Sequence, residues 1–193
     1  MKNKKKIIIL VAETGADISL EDRNKYEIYS VPMHVTFGEQ TLDDGTFPPE
    51  KVVQFYRTTR QQPKTSGSSP EDFRRVFDQI HQWYPEGQIL YLAYSAVTTC
   101  SYQSACIAAE GRDYIKLVDT KSVSAGQNAI VTSMAEKLRE HPEWGMKQAL
   151  EEVERLIRDI CMCFVPDNMD FLRAGGRVSN AVALCGDILG IHP

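Results

Sequence analysis

The chain is poor in several features, and each shortage removes a class of function. It has five cysteines in 193 residues. Cys100, Cys106, Cys161, Cys163 and Cys185 are an odd count without C-x-x-C spacing, so neither a disulfide framework nor a four-ligand structural zinc site is spelled out. No window approaches eighteen uninterrupted apolar residues, so no segment reads as a membrane span. Basic excess is also missing: 22 Lys and Arg against 26 Asp and Glu give a net charge of −4 and a pI near 5.6. That balance argues against a phosphate-backbone footprint and hence against a nucleic-acid partner.

Familiar catalytic fingerprints are lacking as well. There is no G-x-G-x-x-G after a strand, no G-x-x-x-x-G-K-[ST], no G-x-S-x-G elbow and no H-E-x-x-H. The four histidines, His34, His81, His141 and His192, are scattered, and each reads as a surface or strand residue. Acyl-transfer and metal-hydrolase chemistry therefore lack visible parts, and nothing calls for a cofactor.

At the N-terminus, Lys2, Lys4, Lys5 and Lys6 precede the apolar run Ile7 to Ala12. The run is too short for the apolar region of a signal peptide, and Glu13 interrupts it without a small-residue cleavage site. It reads as a basic lead-in to a buried strand, which places the chain in the cytoplasm.

What is present is an alternation of strands and helices. Ile7–Val11 is a continuous apolar run, as expected of a strand covered on both faces. Ser30–Phe37 alternates through Val31, Met33, Val35 and Phe37 like a half-buried strand. Residues 38–45 read as an acidic turn, and Pro48-Pro49-Glu50 starts a helix through Tyr56. Residues 61–69 form a polar loop. Ser69-Pro70-Glu71-Asp72 is a helix start, with a cap, proline in the first turn and acids behind it. That helix runs to about Trp83. Strands follow at 88–94 and 114–118, with helices at 102–110, 129–140 and 144–159. Cys161–Val165 reads as a further strand, its two cysteines on one face as buried thiols. Such alternation predicts a parallel sheet of βαβ units, a Rossmann-like α/β architecture with ligand sites at the carboxyl ends of its strands.

Two hydroxyl-rich loops fall where that rule can use them. One carries Thr65, Ser66, Ser68 and Ser69; the other, after the strand ending near Tyr94, carries Ser95, Thr98, Thr99 and Ser101. Each Ser or Thr alone reads equally as a turn or cap residue. Together the loops suit an anion: Thr65 and Ser95 could donate to a carboxylate or phosphate, the helix near Tyr102 could point its positive end at it, and Arg177 of Gly175-Gly176-Arg177 could add a bidentate donor.

The ordered set of motifs resembles the DegV family of bacterial fatty-acid-binding proteins. The matching stretches are Pro63-Lys64-Thr65-Ser66-Gly67-Ser68-Ser69-Pro70, Tyr102-Gln103-Ser104-Ala105, Asp119-Thr120-Lys121-Ser122-Val123-Ser124-Ala125-Gly126 and Phe171 to Ser179. Val31-Pro32, Phe37-Gly38 and Asp44-Gly45 match in order. The resemblance implies a two-domain protein that holds a long-chain fatty acid between its domains without catalytic turnover. It places the acid's carboxylate on Thr65 and Ser95, beside Ser66, Ala96 and Arg177. It also implies presentation of the acid to a separate fatty acid kinase. Residues 1–160 would form the α/β domain, and 161–193 the beginning of a second, α+β, lipid-enclosing domain. Leu189 to Pro193 match an early part of that domain, so its remainder is expected beyond these residues or from a partner.

Departures from the family pattern occur at both loops. Ala12 to Asp17 alters the usual T-D-S-[TS]-[AC]-D; Ala96 stands where a serine is usual and Cys100 where a glycine is. They motivate an alternative, a truncated and degenerate paralogue that acts as an interaction module through an exposed apolar surface. A phosphotransferase ranks last, because no general base stands at a motif position.

Overall fold

A computed structural model describes residues 7–165 and 170–178. The basic lead-in, Cys185 and the Leu189–Pro193 match lie outside the described residues.

Four strands form a parallel sheet: β1 (Ile8–Glu13), β2 (Tyr29–Val31), β6 (Gln88–Ala93) and β7 (Ile115–Asp119), in the order β2-β1-β6-β7. Ile9 lies opposite Ile89, which lies opposite Ile115. Successive side chains of a strand point to opposite faces, so the two central strands feed two cores. Leu10, Ala12, Leu90 and Leu92 pack against Ile130, Met134 and Val153 of helices α5 (Ser124–Glu140) and α6 (Met146–Asp159). Ile9, Val11, Ile89, Tyr91 and Ala93 pack against Phe73, Phe77 and Ala105 of α3 (Pro70–Trp83) and α4 (Ser101–Ala109). This is the α/β fold expected from the alternation. Among the described residues no helix is long and apolar enough to cross a membrane.

The helix start at Ser69 is a full capping box. The Ser69 hydroxyl accepts from the Asp72 amide, the Asp72 carboxylate accepts from the Ser69 amide, and Pro70 occupies the first turn. This pattern satisfies two otherwise orphaned amides.

Other segments differ from expectation. Ser30–Phe37 is two strands, because Pro32 has no amide to continue the ladder. β2 stays in the parallel sheet, while β3 (His34–Phe37) joins a small antiparallel sheet with β4 (Gln40–Asp43) and β5 (Lys64–Ser66), in the order β4-β3-β5. The acidic turn thus contains a strand. Phe37 pairs with Gln40 across a two-residue loop in which Gly38 takes φ 64°, the positive φ that hairpin loops of this length require. The polar loop contains β5, all three residues of which are exposed. A further helix, α1 (Leu20–Tyr26), follows the first strand, capped by Ser19, and α2 (Glu50–Thr59) runs past Tyr56. The helix expected from Ala129 begins at Ser124.

Cys161–Val165 is no strand: the segment has no pairing partner among the described strands, and both cysteines are exposed rather than buried. Met162 instead packs over the first turn of α5, where a Cβ on Gly126 would sit 2.7 Å from that of Met162. A short helix, α7 (Asp170–Ala174), follows.

Candidate functional site

The carboxyl ends of β1 and β6 open into a cleft of about 850 Å³. β3 contributes His34 and Val35 to its wall, and β5 and its following turn contribute Thr65, Ser66 and Gly67. The loop after β6 contributes Tyr94, Val97, Thr98 and Thr99, and the far side carries Ser124, Phe164, Leu172 and Arg177. The lining therefore pairs hydroxyls and one guanidinium with apolar side chains.

The two hydroxyl loops meet at Gly67. The Ser68 amide donates to Ser101 Oγ at 3.1 Å, and the Ser68 hydroxyl donates to the Pro32 carbonyl at 2.7 Å. A Cβ on Gly67 would lie 2.6 Å from Ser101 Oγ and closer still to Thr99 Oγ1. Gly67→Ala is expected to push the loops apart at a cost of about 1–3 kcal/mol, the usual range for overpacking. Urea unfolding monitored by circular dichroism checks this.

Three of the five residues singled out from the sequence, Thr65, Ser66 and Arg177, line the cleft together. The other two stand at the root of the second loop rather than in the lining. Ser95 is buried; its amide donates to the Ser122 carbonyl at 3.0 Å, and its carbonyl accepts from the Thr98 amide at 3.0 Å and hydroxyl at 2.8 Å. Ala96 is exposed, and its amide donates to Asp119 Oδ1 at 3.2 Å. The same carboxylate oxygen accepts from the Lys121 amide at 2.9 Å. Buried Thr120 donates to the Ala93 carbonyl at 2.7 Å. The Asp119-Thr120-Lys121-Ser122 stretch is thus a brace that turns Thr98 and Thr99 toward the cleft.

Arg177 bridges two walls. Its Nη1 donates to the Gly175 carbonyl, and its Nη2 donates to the Thr98 carbonyl at 3.4 Å. Gly176 takes φ 73° in the turn that aims it. The cleft also holds acids, among them Asp17, which accepts from the Ser124 hydroxyl at 2.5 Å. Burial, with the Asp17 and Glu13 carboxylates nearby, pushes the Tyr94 phenol up, so it stays neutral at the cleft wall.

Beneath Tyr94 lies Glu13, only 1% exposed. It accepts from the Tyr91 hydroxyl, from the Tyr94 amide at 3.0 Å and from Gln127 Nε2 at 3.0 Å. Burial raises its carboxyl above the ordinary value against the opposing pull of those three donors.

Sequence reasoning passed over His34 and Glu13. His34 looked isolated because its partners are 9 and 38 residues away. Glu13 figured only as the residue that interrupts the first apolar run and belongs to the altered loop after it. The available signal was its place at the carboxyl end of the first strand, the edge where ligand sites gather.

Fold and cleft together define a doubly wound α/β domain with a cleft at the carboxyl edge of its sheet that mixes hydroxyls, a guanidinium and apolar side chains. A model of the DegV family, described as uncharacterised proteins, matches residues 7–193. A DegV domain-containing protein of Deinococcus radiodurans is 30% identical over 190 residues, covering 96% of this chain and 66% of its own length. A fatty acid-binding protein of Thermotoga maritima is 29% identical over 193 residues, covering 97% and 66%. The solved structure of a DegV family protein from Thermus thermophilus, described by its fatty acid binding, superposes with a TM-score of 0.84 at 31% identity, covering 93% of this chain and 64% of that one. The chain belongs to the DegV family, and it spans about two thirds of the length of these relatives.

Proposed function

We propose that the chain binds a long-chain fatty acid, with the carboxylate at Thr65, Ser66 and Arg177 and with the Ser95–Ala96 loop root holding the opposite hydroxyls in place. The observation that carries this reading is the meeting in one cleft of the Thr65, Ser66, Thr98, Thr99 and Ser124 hydroxyls and the Arg177 guanidinium with the apolar Met33, Val35, Val97, Phe164 and Leu172. An acyl chain gains about 0.8 kcal/mol per buried methylene. Its carboxylate needs several donors on leaving water, and these hydroxyls with Arg177 supply them. The Thermotoga and Thermus relatives are described as fatty-acid-binding. Residues 161–193 begin the second, lipid-enclosing domain on this reading. The protein works in the cytoplasm without turnover of its own and hands the acid to a separate fatty acid kinase.

Solvent extraction of the purified protein followed by mass spectrometry tests the reading. Stoichiometric fatty acid, or binding of added palmitate or oleate, is the expected result; the absence of both would sink the reading. Thr65→Ala is expected to weaken palmitate binding by about 1.5–3 kcal/mol, the worth of a hydrogen bond to a charged group. An unchanged affinity in equilibrium dialysis would remove Thr65 from the site.

A second reading, an interaction module without lipid, is favoured by one observation: Val97, Phe164, Val165 and Phe171 are all more than half exposed at or beside the cleft. It predicts lipid-free self-association. A lipid-loaded monomer in light scattering would dispose of it.

A further inference from the structure

His34 stands on β3 with both ring nitrogens against carboxylates. Nδ1 is 3.0 Å from Asp43 Oδ1 on β4, and Nε2 is 2.9 Å from Asp72 Oδ2 at the start of α3. A neutral imidazole carries one N–H and can satisfy only one of these contacts. At the other, a ring lone pair would face a carboxylate oxygen. The imidazolium alone donates to both. The charged groups around the ring are Asp43 from β4 and Asp72 from α3, with Arg75 donating to the other Asp72 oxygen at 3.1 Å. β5 brings uncharged Ser66 opposite His34, and Asp44 lines the same cleft.

Asp72 also ties down the far end of the Thr65–Ser66 segment. The oxygen that faces His34 accepts from the Ser69 amide at 2.9 Å and the Ser69 hydroxyl at 2.6 Å. On the near end, His34 pairs with Ser66 and Val35 with Thr65. The short stretch from Ser66 to Ser69 is thus anchored at both ends to one carboxylate, through its own cap on one side and through the His34 ring on the other. β5 has only three exposed residues, so β3 and this anchor supply most of what orders it.

We propose that His34, in its charged form, is a positioning residue for Thr65 and Ser66, so that loss of the ring proton loosens the segment and weakens the hold on the ligand. The ligand half of this rests on the fatty-acid reading above; the positioning half does not. Retention of the proton favours the ordered segment, so affinity falls as the pH rises through the ring's titration.

The test uses the full chain and its His34→Gln and Thr65→Ala variants. Two-bond ¹H–¹⁵N spectra should show both His34 nitrogens protonated at the pH where palmitate binds most tightly. The amide signals of Thr65 and Ser66 should move with the ring in the wild type and stay still in His34→Gln. Palmitate affinity, by equilibrium dialysis between about pH 6 and about pH 8.5, which brackets ordinary histidine, should fall severalfold more in the wild type than in His34→Gln. Thr65→Ala should weaken binding at every pH while leaving the ring's titration intact.

A single-N–H tautomer at that pH would overturn the proposal. So would identical pH profiles in wild type and His34→Gln. Absence of palmitate binding at every pH would defeat the fatty-acid reading instead, and the ring and amide titrations would still decide the positioning claim.

Discussion

Replacing Glu13 with alanine is expected to lower the stability of the fold by about 3 kcal/mol, from three buried donors orphaned at about 1–3 kcal/mol each less the relief of a desolvated carboxylate. The donors are the Tyr91 hydroxyl, the Tyr94 amide and one N–H of Gln127 Nε2, which also donates to the Leu92 carbonyl at 2.9 Å. Water cannot reach them readily, because Tyr91, Gln127 and Glu13 are all essentially unexposed. For a chain of this size the loss corresponds to a drop of about 6–12 °C in Tm, readable by calorimetry. Glu13 also grips the first residue after β6, so its removal should loosen the loop that turns Thr98 and Thr99 toward the cleft. A variant as stable as the wild type would show that the cluster is not held by this carboxylate.

The same group has a pH signature of definite sign. Burial raises the Glu13 carboxyl above its ordinary value of 4.5, so the folded state holds this proton more tightly than the unfolded chain. The contribution is fully present below the unfolded value and is lost as pH rises through the folded one. Glu13→Gln keeps the shape and removes the titration. The stability of the wild type relative to Glu13→Gln should therefore grow as pH falls from neutrality toward the ordinary carboxyl range. Asp72 runs the other way. Burial acts to raise it, but hydrogen bonds from the Ser69 side chain, His34 and the Ser69 amide together hold it below the ordinary value. Its contribution is present above the unfolded value and is lost as pH falls through the folded one. Urea titrations at several pH values separate the two, because Glu13→Gln and Asp72→Asn should change the slope in opposite directions.

Much of the parallel sheet was legible because burial on both faces leaves a strong mark. Ile8 to Val11 and Ile89 to Ala93 are apolar runs with few alternatives, and Ser69-Pro70-Glu71-Asp72 carries its cap chemistry within four residues. β5 left no such mark. Lys64, Thr65 and Ser66 are polar and exposed, and the segment is a strand because β3 lies alongside, a fact held elsewhere in the chain. α1 has no buried residue, so no apolar periodicity announced it. Cys161–Val165 failed in the opposite sense: a continuous apolar run suggested a strand, but a strand needs a partner, and this segment packs Met162 on Gly126 instead. At the site, hydroxyls in sequence clusters pointed to Thr65 and Ser66, and Arg177 lay in a recognisable G-G-R turn. His34 was opaque because its meaning comes from Asp43 and Asp72, which only the hairpin and the α3 cap bring to the ring.

Truncating Phe73 is expected to do more damage than any surface change near the cleft, about 3–5 kcal/mol for a fully buried phenylalanine reduced to alanine. Its ring is 0% exposed, and its centroid lies 5.6 Å from that of Phe77 and 5.1 Å from that of Tyr91. It also follows Asp72 directly, so it pins the end of α3 that carries the cap and the His34 anchor. Phe73→Ala should therefore lose stability in urea unfolding and shift the Thr65 and Ser66 amide signals, even though no atom of Phe73 lines the cleft. Tyr91 joins this effect to the first. Its ring packs on Phe73 while its hydroxyl serves Glu13, so each truncation frees one end of the same side chain. The two losses should then fall short of additivity by about 0.5–3 kcal/mol, the range for residues that share a partner. A strictly additive double variant would show that Tyr91 holds its place without either neighbour, and that the carboxylate cluster and the aromatic core are independent supports of the loops above them.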